Sequence, residues 1–225
     1  MKLRDLLLNL SITAALVVVI VLVYVVLDHS RPEVPRAIPV SEAEIRGLDL
    51  GAKPVRDNFL VLPQALLVES RGNEADTLRM QVDGEELIFV LYFVDALDAS
   101  WTHPQRINDQ ARWFGNASSD RIVETGIEAL NFVRTLLTTK PFRVMTRWER
   151  VPNTSRYYAL IIVEEEPGRM TYLQDILVRE GYARIQGVTT PLPGDSRDEA
   201  HYLAYLRQLA NEARREKRGI WKNLR

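Results

Sequence analysis

Three aspartates in the first half of the chain stand where strands are expected to begin or end. Asp76 comes just before a strand pattern that starts at Thr77, and Asp95 and Asp98 follow an apolar run that ends at Val94. A hairpin brings the start of one strand beside the end of its partner, so these three carboxylates can converge on one rim. Converging carboxylates can hold a cation or position a water molecule. Aspartate is also common at strand ends, where it bonds backbone groups, so the trio alone fits a structural role as well.

Other motifs follow these aspartates in order along the chain. They are the segment ETGIEA at 124–129, Arg156 at the head of a later strand, LVREGYA at 177–183 and KRGIW at 217–221. Each piece is generic by itself. The ordered set, which covers roughly residues 65 to 222, resembles the staphylococcal nuclease (thermonuclease) family. The resemblance implies an oligonucleotide-binding β-barrel with three helices.

The resemblance also implies a calcium-dependent site for phosphodiester hydrolysis. Carried over by position, Asp76 and Asp95 would be the metal carboxylates, and the backbone carbonyl of Ala96 would be a third ligand. Asp98 would replace the family's glutamate base, and Arg156 would be one phosphate-binding arginine. In such a site the cation neutralises the phosphate, a carboxylate positions or deprotonates water, and arginines stabilise charge on the phosphoryl oxygens.

Two positions depart from the family's site. Phe89 is followed by Val90 where the family has an arginine, and valine cannot donate to a phosphate. Asp98 is one methylene shorter than glutamate, which withdraws the carboxylate from the water. Losing one transition-state donor typically costs about 10² to 10³ in rate. The sequence therefore predicts slow hydrolysis or none, and favours a degenerate member that binds nucleic acid or an envelope component over an active nuclease for DNA or RNA.

Cations elsewhere in the chain have two interpretations. Arg79, Arg106 and Arg112 are interpreted as solvated surface or loop charges, and the alternative is that one of them replaces the lost guanidinium. The C-terminal helix carries an excess of Lys and Arg. That excess either contacts nucleic acid or anionic headgroups, or only reflects the preference for cations at a helix C-terminus.

The four tryptophans divide into two pairs. Trp101 and Trp113 fall in the predicted long loop after Asp98 and are candidate stacking platforms for bases. Trp148 and Trp221 are expected in the core.

Composition excludes several other kinds of site. The chain has no cysteine, so a disulfide framework and thiolate chemistry are excluded. His29, His103 and His201 lie far apart and lack metal-ligand spacing, so no zinc site is expected. The formal net charge is -1, which gives no overall positive excess for tracking a nucleic-acid backbone.

The elements that must position these residues follow from periodicity and turn signals. Strands are predicted at 65–69, 77–82, 86–94, 142–148 and 157–164, with Asp83 and Gly84 as a tight hairpin turn. Helices are predicted at 122–137, 172–180 and 198–217. Short turns between the first strands argue against a parallel sheet. The predicted fold is mainly β with α (α+β): a five-stranded OB-fold-like barrel with three packed helices, preceded by one transmembrane helix.

The N-terminus has the composition of a membrane anchor. Residues 6–27 are 22 residues without a charge, long enough to cross a hydrocarbon core of about 30 Å. A cleaved signal peptide is disfavoured because its apolar region would be shorter and would end at small residues. We expect an anchor at 1–28, a Pro-rich tether at 29–56 and one domain at 57–225. Lys2 and Arg4 favour a cytoplasmic N-terminus, with the domain periplasmic or extracellular.

Overall fold

The computed structural model describes residues 53, 55–56, 58–62, 64–193 and 198–222. The predicted anchor at 1–28 and nearly all of the tether lie outside the described residues. Across the ranges that are described, no helix has the length and apolar character needed to span a membrane.

The described residues form nine strands and four α-helices. The strands are β1 (Leu60–Leu62), β2 (Leu66–Leu67), β3 (Thr77–Val82), β4 (Glu85–Leu91), β5 (Val94–Ala96), β6 (Phe142–Thr146), β7 (Tyr157–Glu166), β8 (Arg169–Tyr172) and β9 (Ala183–Ile185). The helices are α1 (Pro104–Trp113), α2 (Ser119–Thr139), α3 (Leu173–Arg179) and α4 (Glu199–Arg215), and a 3-10 helix follows at Gly219–Trp221.

The strands form a mixed sheet rather than a closed five-stranded barrel. The hydrogen-bonded order is β1-β6-β7-β4-β3-β2, with β8 beside β7, and β5 pairs with β9 in a separate two-stranded sheet. The α+β class is confirmed, whereas the barrel of five strands with three helices is not what the described residues show. Neighbouring strands are antiparallel except β4 and β7, which run parallel. The hairpin at Asp83 and Gly84 is confirmed, and both residues have positive φ.

A break in the predicted third strand redirects the chain toward the aspartates. The apolar pattern predicts a strand from residue 86 to 94, but β4 ends at Leu91, and Phe93 adopts φ 71°. A bulky residue with positive φ is strained and persists only where packing fixes it. The Phe93 ring is buried against the ring of Tyr202, with centroids 4.8 Å apart. Because of this turn, the chain changes direction after β4, and Asp95 lies opposite Arg184 of β9.

Helix α1 occupies the segment for which the sequence predicts a long loop. Pro104 stands in its first turn, where a missing N–H costs nothing. Ile107, Ala111 and Phe114 lie at helical spacing and pack with α2 and the 3-10 helix in a second, smaller core. This packing directs the adjoining face of α1, with Arg106 and Gln110, toward β5.

Gly126 lets α2 approach the segment that carries Asp98. A Cβ at this position would lie 2.2 Å from the carbonyl oxygen of Asp98 and 2.6 Å from that of Leu97. Contacts this short with backbone atoms require the helix or the segment to move. The glycine within the ETGIEA segment therefore fixes the position of Asp98.

Gly126→Ala is expected to lower the free energy of unfolding by about 1 to 3 kcal/mol, because overpacking against backbone outweighs the helix propensity of alanine. Urea unfolding checks this value. Gly72→Ala is the matched control, since its Cβ would meet only the Ser70 hydroxyl at 3.7 Å. Equal stability of Gly126→Ala and wild type would show that α2 is free to shift.

Candidate functional site

The predicted metal ligands converge on one rim. Asp76 precedes β3, and its backbone carbonyl accepts a hydrogen bond from Leu91 N at 2.9 Å. Asp95 and Ala96 lie in β5, and Ala96 N donates to Asp76 Oδ2 at 2.7 Å. The start of β3 is thus joined directly to β5. The structure places these residues together, and their role as metal ligands stays a prediction.

The guanidinium of Arg106 lies among the carboxylates of Glu74, Asp76, Asp95 and Asp98, which form the acidic group of this site. It donates to Asp95 Oδ1 from Nη2 at 2.8 Å and from Nε at 3.2 Å, and to Glu74 Oε2 from Nη1 at 3.0 Å. It also lies 3.2 Å from Asp98 Oδ1 and 3.8 Å from Asp76 Oδ2. These four carboxylates raise the pKa of Arg106 above its usual range, against the effect of burial. The interpretation of Arg106 as a solvated loop charge is wrong.

The other two arginines considered with Arg106 do lie at the surface. Arg112 is 72% exposed and pairs with Asp109 on its own helix. Arg79 pairs with Glu86 across the β3–β4 hairpin. Neither is among the residues that contact the acidic group, so the interpretation of both as surface charges is confirmed.

Two further residues complete the contacts of Asp95 and Ala96. Arg184, buried on β9, donates from Nε to Asp95 Oδ2 at 2.5 Å. Gln110, buried on α1, donates from Nε2 to the carbonyl oxygen of Ala96 at 2.8 Å. Its own side-chain oxygen accepts from Asp98 N at 3.0 Å. Both carboxylate oxygens of Asp95 and the Ala96 carbonyl therefore accept hydrogen bonds from side-chain nitrogens.

Asp76 is buried within this network. Its two oxygens accept from Ala96 N and from the Thr77 hydroxyl, the latter at 3.1 Å. Burial raises the pKa of Asp76 to about 7, and the positive charge of Arg106 limits the rise.

Asp98, the predicted general base, is fully buried. Its nearest cation is Arg106, but neither of its carboxylate oxygens has a hydrogen-bond partner among the described residues. The 3.2 Å approach to Arg106 is thus an ion pair by distance without hydrogen-bond geometry. Burial raises the pKa of Asp98 to about 6.

A cleft of about 630 Å³ opens beside the acidic group. Asp76, Asp95 and Arg106 line one part of it, and Arg156 and Val90 line another. Arg156 is exposed, just before β7, and its side chain has no ion pair among the described residues. Asp98 is not among the residues that line this cleft. The predicted base and the predicted phosphate-binding arginine therefore do not face one common space.

The donor set meets only part of what a calcium ion requires. The carboxylates and the Ala96 carbonyl are hard oxygen donors of the type that Ca²⁺ takes. Glu74, Asp98 and His103 also offer ligand atoms that lie within 4.8 Å of one another and could hold a metal ion. However, Arg106 contacts Glu74, Asp95 and Asp98 together. In this arrangement the residues do not fit a calcium ion, because the carboxylates that would bind the ion already bind the guanidinium.

Sequence reasoning missed Gln110 and Arg184, and it missed the role of Arg106. A signal for Arg106 was present: Pro104 followed by apolar residues at 107, 111 and 114 is typical of a short helix. On that helix Arg106 and Gln110 are four residues apart and share a face. No local signal pairs Arg184 with Asp95, because the pairing depends on the β5–β9 register.

Comparison with known proteins supports the resemblance noted in the sequence. The family model for staphylococcal nuclease homologues matches residues 97–223, more than half of the 225-residue chain. The match begins after Asp76, Asp95 and Ala96, so the predicted metal ligands lie outside it. No curated protein matches the chain.

Proposed function

Because the chain belongs to the staphylococcal nuclease homologues, we propose that its domain is a degenerate member that binds nucleic acid without hydrolysing it. One observation carries this proposal: the Arg106 guanidinium lies within 4 Å of four carboxylates, where the resemblance implies a metal ion. A guanidinium neutralises carboxylates, but it offers no open coordination position for a water molecule or a phosphate oxygen. In this proposal the site keeps its acidic residues but lacks a metal ion that could coordinate water or a phosphate oxygen.

Two further features support the loss of hydrolysis. Val90 lines the cleft where the family has an arginine, so one donor to a phosphate is absent. Asp98 is fully buried and is not among the residues that line the cleft from which water would attack. Arg156 remains on the cleft and can bind a phosphate, but binding by one arginine does not by itself catalyse cleavage.

The N-terminal segment supports a confined location for this binding. Residues 6–27 have the length and composition of a membrane-spanning helix, and residues 29–56 would tether the domain to it. In this proposal the N-terminus is cytoplasmic and the domain works close to the envelope, in the periplasm or outside the cell.

A calcium-dependent phosphodiesterase for DNA or RNA is the second candidate. It is favoured by the convergence of Asp76, Asp95 and Ala96 and by the group formed by Glu74, Asp98 and His103. This candidate requires Arg106 to leave the carboxylates, which costs its hydrogen bonds to Asp95 and Glu74.

A cleavage assay separates the two candidates. The full-length chain in detergent is incubated with denatured DNA and with RNA, in calcium or in chelator, beside the double variant Asp76→Ala, Asp95→Ala. We expect equal product from both proteins under both conditions. Calcium-dependent cleavage that disappears in the double variant would establish the enzyme and rule out the degenerate member.

A further inference from the structure

A second groove, of about 280 Å³, lies between α1, α4 and the 3-10 helix. Its lining includes two tryptophans, three arginines and one asparagine: Trp113, Trp221, Arg184, Arg207, Arg214 and Asn211. No Asp or Glu is among the described residues that line it. Arg184 pairs with Asp95, so the positive charge of this groove comes from Arg207 and Arg214, in contrast to the acidic cleft beside Asp76.

One face of α4 supplies the free cations. Arg207, Asn211 and Arg214 are spaced by four and three residues, so they follow one another along that face. Arg207 and Arg214 are exposed and have no ion pair among the described residues, whereas Arg215 and Arg218 both pair with Glu216. Two unneutralised guanidinium groups on a common face are able to bind two anionic groups of one ligand.

The aromatic part of the groove has one free ring and one fixed ring. Trp113, at the end of α1, is 54% exposed although it is a large apolar side chain. The Trp221 ring packs edge-on against Phe114 at 5.2 Å, and the Arg214 guanidinium lies over it at 5.3 Å. Cation–π contact holds Arg214 at the groove without neutralising its charge. Trp113 is thus free to stack on a planar ligand next to a fixed arginine.

We propose that this groove binds single-stranded nucleic acid, with an unpaired base stacked on Trp113 and phosphates paired with Arg207 and Arg214. Stacking on an aromatic side chain beside a basic groove is the usual way in which proteins bind unpaired strands. A paired base within a duplex cannot present its face to Trp113. The inference rests on the proposed function and names the surface that performs it, distinct from the acidic cleft.

Fluorescence titration of the full-length chain with a short oligothymidylate, in chelator, tests this groove. Trp113→Ala is expected to weaken binding about tenfold, the usual effect of losing one stacking platform. Arg207→Gln with Arg214→Gln is expected to make binding less dependent on salt, and the logarithmic slope falls by about 0.7 for each phosphate that the variant no longer binds. The duplex of the same length is expected to bind more weakly than the single strand.

The chain offers matched controls. Trp101 is 53% exposed and lies outside the groove, and Arg169 is an exposed arginine paired with Glu166. Trp101→Ala and Arg169→Gln are expected to bind as wild type does. Groove variants that bind like the controls would overturn the proposal, as would wild-type protein that binds no oligothymidylate at low salt. Binding to anionic phospholipid vesicles is measured in parallel. Groove variants that lose vesicle binding but retain oligothymidylate binding would also overturn the proposal and assign this face to a membrane.

The outcomes separate this inference from the proposed function. If oligothymidylate binding is lost in Arg156→Gln but kept in the groove variants, the ligand binds in the acidic cleft. That result would refute the proposed groove and leave the proposed function standing. Calcium-dependent cleavage would refute the degenerate member, while the binding measurement in chelator would still decide whether Trp113, Arg207 and Arg214 form the binding surface.

Discussion

Replacing Arg106 with alanine is expected to lower the free energy of unfolding by about 3 to 5 kcal/mol in chelator, because it leaves buried carboxylates without their cation. Arg106 contacts four carboxylates, and two of them, Asp76 and Asp98, are buried. Urea unfolding followed by circular dichroism measures the difference.

Arg112→Ala is the matched control on the same helix. Arg112 is 72% exposed and pairs with one exposed aspartate, so its loss is expected to cost less than about 1 kcal/mol. If Arg106→Ala costs no more than Arg112→Ala, the guanidinium does not serve as the internal cation of the acidic group.

The contribution of Asp76 and Asp98 to the free energy of unfolding is expected to fall as the pH rises from about 4 to about 7, in chelator. Burial raises the pKa of Asp98 to about 6 and that of Asp76 to about 7, from 3.8. The folded protein therefore holds more protons than the unfolded chain in this range, and the added stability is present below pH 4 and lost as both groups ionise. Each pKa unit corresponds to about 1.4 kcal/mol, so the fall amounts to several kcal/mol. Urea unfolding at a series of pH values measures it.

Asp98→Asn removes one of the two titrating groups and is expected to flatten this dependence by about 3 kcal/mol. Glu74, Asp95, Arg106 and His103 also act on the charge of Asp98, and the variant leaves all of them in place. Asp109→Asn is the control, because Asp109 is exposed and pairs with Arg112 on α1. This variant is expected to keep the wild-type dependence of stability on pH. A pH dependence that is the same in Asp98→Asn and in wild type would contradict the raised pKa of Asp98.

Much of the fold follows from local sequence signals. The β3–β4 hairpin is fixed by alternating apolar residues around Asp83 and Gly84, and α2, α3 and α4 are fixed by helical periodicity. The break at Phe93 could not be predicted, because an aromatic residue adopts positive φ only when tertiary packing determines it. Helix α1 was missed because a short apolar stripe within a polar segment is easily taken for a loop.

The acidic members of the site were predictable from the sequence, whereas the sequence signal for Arg106 indicated a helix but not its contact with the carboxylates. Asp76, Asp95 and Asp98 converge because a hairpin and a strand end place them together, which sequence order indicates. Arg106 reaches them only because the second core orients α1. Arg184 reaches Asp95 through long-range β5–β9 pairing. Whether a group of carboxylates holds a metal ion or a guanidinium therefore depends on tertiary contacts that no local motif encodes.

Calcium titration of the wild-type chain, with thermal unfolding as the readout, tests most directly whether Arg106 replaces the metal ion. We predict that calcium leaves the melting temperature of wild type unchanged and raises that of Arg106→Ala, since a ligand that binds only the folded state stabilises it. A saturable rise of the wild-type melting temperature with calcium, abolished by Asp76→Ala with Asp95→Ala, would contradict the account.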